Sequence, residues 1–115
     1  MKNLIFLALV LLTSLHVCAQ KKQSNEVITI QTTAECEQCK DRIESKLNYT
    51  KGIKYAQVDL ETKKVKVKFN QQLIKREEIL QLLSKLGYDA DELKADPVAY
   101  EALPACCKIN GMHQH

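Results

Sequence analysis

Apolar and polar residues alternate along the chain with two periods, and the change from one to the other marks the elements. Val27 to Thr32 is a β-branched run and predicts a strand. From Glu37 to Asn48 the apolar positions are Cys39, Ile43 and Leu47, an i, i+4, i+8 stripe that predicts a helix with one buried side. Period two then takes over. Ala56, Val58 and Leu60 alternate within Ile53 to Leu60, and Val65, Val67 and Phe69 alternate with Lys64, Lys66 and Lys68. Glu61-Thr62-Lys63 joins these two strands as a hairpin, and the lysine row reads as a solvated sheet face. Ile79, Leu82, Leu83 and Leu86 return to i, i+3, i+4, i+7 spacing and predict a second helix from Lys75 to Leu86. Gly52 and Gly87 follow the two helices where stop residues belong. Tyr88 to Lys94 is the remaining strand candidate, although Asp89, Asp91 and Glu92 are poor strand formers.

The order β-α-β-β-α-β predicts an α+β fold of the ferredoxin-like kind: a four-stranded antiparallel sheet with both helices on one face. It occupies residues 26–95, behind a polar leader over 20–25 and ahead of an extension over 96–115. In the extension, Asp96-Pro97 is an N-cap followed by proline at the first helical position, so Val98 to Leu103 reads as a short helix stopped by Pro104.

Residues 1–19 carry a positive start, an apolar run from Leu4 to Leu12, and Val17-Cys18-Ala19 before a cleavage point. That is the pattern of a secretory signal peptide, and a bilayer span would need about 18 to 20 apolar residues. Lipid attachment through Cys18 is the competing reading of the same segment. The expectation is an exported protein, periplasmic or extracellular, with no stable membrane insertion after cleavage. Cleavage after Ala19 leaves 96 residues, with Cys36, Cys39, Cys106 and Cys107 as the remaining cysteines. A formal net charge of +3 for the whole chain, with no basic stripe interleaved with aromatics, argues against a nucleic-acid partner.

Four cysteines in an exported chain would ordinarily suggest two disulfides. Cys36 and Cys39, however, are too close in sequence to staple much chain, and Cys106 and Cys107 are adjacent near the end. Both spacings suit ligands or redox pairs better than a framework. The pair Cys36-x-x-Cys39 falls between the first strand and the first helix, where free N–H groups and the positive helix end favour thiolate over thiol. Two chemistries follow, soft-metal binding and thiol–disulfide exchange. A thioredoxin-like oxidoreductase would show further βα units and a proline-bearing loop facing the cysteines, but Pro97 and Pro104 both lie after the last predicted strand. A small module in which the cysteines are merely stapled has no positive signal.

With C-x-x-C at the first strand-to-helix turn, the β-α-β-β-α-β order, and Gly87-Tyr88-Asp89-Ala90 after the second helix, the sequence resembles the heavy-metal-associated domain family. The resemblance covers roughly Glu26 to Lys94. It implies a non-enzymatic, monomeric metal-binding protein in which Cys36 and Cys39 hold one soft ion and Tyr88 lies beside them. Cu(I) is the first expectation, because two thiolates suit a two-coordinate d¹⁰ ion; Zn(II), Cd(II) and Hg(II) are the alternatives. The implied partner is a metal-transporting ATPase or another metal-handling protein. The family motif is usually Gly-Met-x-Cys-x-x-Cys, and here Thr33 and Ala34 stand at the glycine and methionine positions. Glu35, directly before Cys36, is a candidate oxygen ligand of the kind that goes with divalent ions, or a solvated acid near a helix N-terminus.

The tail is the part that the resemblance does not explain. Cys106, Cys107, His113 and His115, with Met112, are candidate additional ligands, either at the first site or at a second one. Reaching the Cys36 loop requires the tail to return about 20 Å, which eleven residues at ~1.5 Å (helical) to ~3.3 Å (extended) each can span.

Overall fold

The computed structural model describes residues 24–109. The expected signal segment and the candidate ligands Met112, His113 and His115 lie outside the described residues. Three strands, β1 (Asn25–Gln31), β2 (Ile53–Asp59) and β3 (Lys64–Asn70), form an antiparallel sheet in the order β1-β3-β2. Helix α1 (Glu37–Asn48) follows β1, and α2 (Arg76–Leu86) follows β3. A short helix α3 (Pro97–Ala102) and a 3₁₀ turn (Ala105–Cys107) complete the chain as described.

The predicted alternations define the core. Val65, Val67 and Phe69 of the central strand are buried, as are Ile30, Ala56 and Val58 on its neighbours, while Lys64 and Lys66 stay exposed. From α1, Cys39, Ile43 and Leu47 complete the cluster, and from α2, Ile79, Leu80 and Leu83. Burial of Ile43 or Leu47 contributes roughly 1.5–3 kcal/mol each by area transfer. Helix α1 also covers the open edge of β2. Asn48 accepts from the Ala56 amide at 2.8 Å and donates to the Ala56 carbonyl at 3.2 Å, and Glu44 accepts from the Val58 amide at 2.9 Å. Backbone groups that would otherwise face water or another chain are thus satisfied from the helix. No helix among the described residues is long and apolar enough to cross a membrane.

The expected fourth strand over 88–94 is not a strand. Ala90 makes one isolated bridge with Thr32 and another with Leu93, and Asp91 takes a left-handed conformation at φ 49°. The reason lies in the aspartates that weakened the prediction. Asp91 accepts from the Gln31 amide at 2.8 Å and Asp89 from the Ala95 amide at 2.8 Å, so side chains supply partners that a ladder would have supplied. Arg76 then clamps the turn through Asp91 at 2.8 Å and Glu92 at 3.0 Å.

The extension begins with the short helix expected from Asp96-Pro97, one residue earlier at each end than Val98 to Leu103. Asp96 caps α3 by accepting from the Val98 amide at 3.1 Å, with Pro97 at the first helical position. Gly87 ends α2 at φ 104°, and Leu103, 6% exposed, closes over it. Pro104 and the 3₁₀ turn then carry the chain to the N-terminus of α1.

Candidate metal centre

The loop between β1 and α1 is fastened by hydroxyls. Thr32 donates from Oγ1 to the Lys63 carbonyl at 2.8 Å and accepts from the Ala34 amide at 3.3 Å. Thr33 Oγ1 accepts from the Asp89 amide at 3.1 Å. Ala34 is fully buried in the core cluster. The smaller side chain at the family's methionine position therefore coincides with a loop tied by Thr32 and Thr33 to the β2–β3 hairpin and to the turn after Tyr88.

Cys36 is the N-cap of α1, in extended conformation at φ −147°, and its side chain makes no capping bond. Its sulfur is free to face other groups while the first-turn amides remain open toward it. Cys39, one turn on, is fully buried. Their Sγ atoms lie 3.3 Å apart, beyond the ~2.05 Å of a disulfide. All four cysteines of the described residues are free thiols.

The tail joins this pair. Cys107, 1% exposed, places its Sγ 3.7 Å from that of Cys36, and Cys106 Sγ lies 3.9 Å from that of Cys107. The sulfurs of Cys36, Cys106 and Cys107 all lie within 4.8 Å of one another. Cys106 is held from the other side by Gln38, whose Oε1 accepts from its thiol at 3.1 Å. Gln38, between the two motif cysteines, carries no signal in the sequence; only the returning tail gives it a role.

Tyr88 is fully buried, and its hydroxyl has no hydrogen-bond partner among the described residues, with the Cys39 and Cys107 thiols as neighbours. Burial first, then those two thiols, push the phenol upward, so it stays protonated. The Cys107 thiol is likewise pushed up, by burial first and then by its contact with the Cys39 thiol, while Tyr88 opposes the shift. A buried hydroxyl unpaired in this way, beside those thiols, is a donor available to thiolates.

Glu35 goes elsewhere. Its Oε1 accepts from Lys63 Nζ at 2.7 Å in a part-exposed ion pair, and it is not among the clustered sulfurs. Beside the thiols, Cys36, Glu37, Gln38, Leu60 and Cys106 line a shallow recess open to solvent. An all-sulfur donor set, with Cys36 and Cys106 half-buried and Cys39 and Cys107 buried, fits soft d¹⁰ ions.

The heavy-metal-associated domain profile matches residues 32–89, half of the chain, and the chain belongs to that family. The match includes Cys36, Cys39 and Tyr88 and stops before the Cys106-Cys107 turn. Copper-transporting ATPase 2 of Homo sapiens is 38% identical over 69 residues, covering 60% of this chain and 5% of the ATPase. The chain thus spans about a twentieth of such an ATPase. Copper chaperone CopZ of Enterococcus hirae is 36% identical over 56 residues, covering 49% of this chain and 81% of the chaperone. Among solved structures, a CopZ metallochaperone superposes with TM-score 0.55 at 26% identity, covering 56% of this chain and 98% of its own. Oxidised MerP from Ralstonia metallidurans CH34 gives TM-score 0.56 at 16% identity, covering 58% of this chain and 94% of its own, a likeness of fold.

Proposed function

We propose that this protein binds one soft metal ion, Cu(I) foremost, through Cys36 and Cys39, and carries or sequesters it after export. The observation that carries the reading is the free pair of Cys36 and Cys39, with sulfurs 3.3 Å apart at the open N-terminus of α1, in a chain of the heavy-metal-associated family. Two thiolates satisfy Cu(I) or Hg(II), whereas Zn(II) and Cd(II) call for four ligands, and among the described residues the sulfurs within 4.8 Å of one another are three, Cys36, Cys106 and Cys107. Glu35, occupied by Lys63, does not add oxygen to the set. The buried Tyr88 hydroxyl supplies a donor to the thiolates, orienting them as outer partners orient metal ligands.

The reading places the protein in a periplasmic or extracellular space, as a monomer, with a metal-transporting ATPase or another metal-handling protein as exchange partner. Stepwise replacement of one thiolate by another at the half-buried Cys36 gives such an exchange its path, and no catalytic group is required.

The test is an anaerobic titration of the reduced protein with Cu(I), and separately with Zn(II), against a competing chelator. Tight Cu(I) binding with weak Zn(II) binding is the expected result. Failure to bind any soft ion, with fast reduction of a Cys36–Cys39 disulfide by added thiols, would replace this reading with thiol–disulfide exchange.

A further inference from the structure

We propose that the Cys106-Cys107 turn adds a second soft-metal position to the Cys36/Cys39 site, giving a thiolate cluster for two monovalent ions, Cu(I) or Ag(I), bridged by Cys36. The inference rests on the proposed function and extends it to the ligands and stoichiometry of the same site.

The geometry consists of a pair and a trio of sulfurs that share Cys36. Cys36 Sγ stands 3.3 Å from Cys39 Sγ and 3.7 Å from Cys107 Sγ. Cys106 Sγ is 3.9 Å from Cys107 Sγ, and the trio of Cys36, Cys106 and Cys107 lies within 4.8 Å throughout. With metal–sulfur bonds of ~2.3 Å, an ion in line between two thiolates separates them by about 4.6 Å, and a trigonal ion separates its three thiolates by about 4 Å. The 3.7 Å and 3.9 Å edges suit the trigonal case. A thiolate has lone pairs for two ions, so Cys36 can serve both the pair and the trio.

Charge points the same way. Four thiolates around one monovalent ion leave three negative charges, and a second ion reduces this to two. Cys107 and Cys39 are buried, where uncompensated charge is costly. The trio is also held in place by protein contacts: Leu103 over Gly87 anchors the tail, and Gln38 accepts from the Cys106 thiol. In loading, Cu(I) arrives as an acetonitrile complex; acetonitrile leaves, each thiol that becomes a ligand releases its one proton to buffer, once only for a bridging sulfur, and no electron is transferred.

The experiment is an anaerobic titration of the reduced, full chain with Cu(I)-acetonitrile. Bound copper is counted by native mass spectrometry, and X-ray absorption is recorded at one and two equivalents. Two ions are expected in the wild type, with a Cu–Cu scattering shell appearing only beyond the first equivalent. Cys106→Ser, which keeps a donor for Gln38, is expected to hold one ion, and His113→Gln with His115→Gln to hold two. A wild type that saturates at one ion lost in Cys36→Ser overturns this inference and leaves the proposed function standing. Two ions retained in Cys106→Ser also overturn it, by placing the second ion elsewhere. No bound copper overturns both.

Discussion

Leu103 lies so close over Gly87 that a methyl group on Gly87 would stand 2.9 Å from Leu103 Cδ1. This contact joins the end of α2 to the extension and thereby fixes where Cys107 falls. Gly87→Ala would also force an alanine into φ 104°. The expected cost is roughly 1–3 kcal/mol, the range for a non-glycine residue in a sparsely populated conformation. Urea unfolding measures the loss. In the same variant the Cys107 thiol, buried in the wild type, reacts faster with an alkylating reagent as the tail lifts.

Asn48→Ala removes both partners of the Ala56 backbone on β2. Leaving such groups unpaired costs about 1–3 kcal/mol each when buried and less at a part-exposed edge, so a loss of about 1–3 kcal/mol in total is expected by urea unfolding. The Cu(I) stoichiometry is unchanged, because the clamp lies at the far end of α1 from Cys36.

Glu35→Gln tests which role the acid before Cys36 plays. The Lys63–Glu35 pair is part exposed, so its loss costs less than about 1 kcal/mol. Competition titrations are expected to give unchanged Cu(I) and Zn(II) affinities. A tenfold fall for Zn(II) alone would mean that Glu35 leaves Lys63 to join the ion.

Acid acts on the turn after Tyr88. The hydrogen bond from Arg76 lowers the Glu92 carboxyl from 4.5 to about 2. A carboxyl lowered in the folded state stabilises it above its unfolded value and loses that contribution as pH falls through the folded one. Between pH 4.5 and 2 the wild type should therefore lose stability more steeply than Glu92→Gln. Equal slopes in urea midpoints across that window would remove the Arg76 clamp from the account.

Most of the positioning scaffold was legible in the sequence. Period two gave the β2–β3 hairpin, the Cys39, Ile43 and Leu47 stripe gave α1, and Asp96-Pro97 gave the start of α3. The segment 88–94 reads as a strand from its place in the β-α-β-β-α-β order, but its aspartates, poor strand formers, bond to backbone amides instead. The approach of Cys107 to Cys36 was permitted by chain length alone. What directs it is Leu103 seated on Gly87, and a glycine that caps a helix looks the same in sequence whether or not a leucine rests on it.

The most direct test of the central claim is the Cu(I) affinity of the Cys36→Ser, Cys39→Ser double variant, measured anaerobically against a competing chelator beside the wild type. The account predicts a loss of more than about a hundredfold, beyond the 10–100-fold typical of removing only an outer partner of a metal ligand. Wild-type affinity in the double variant would contradict it.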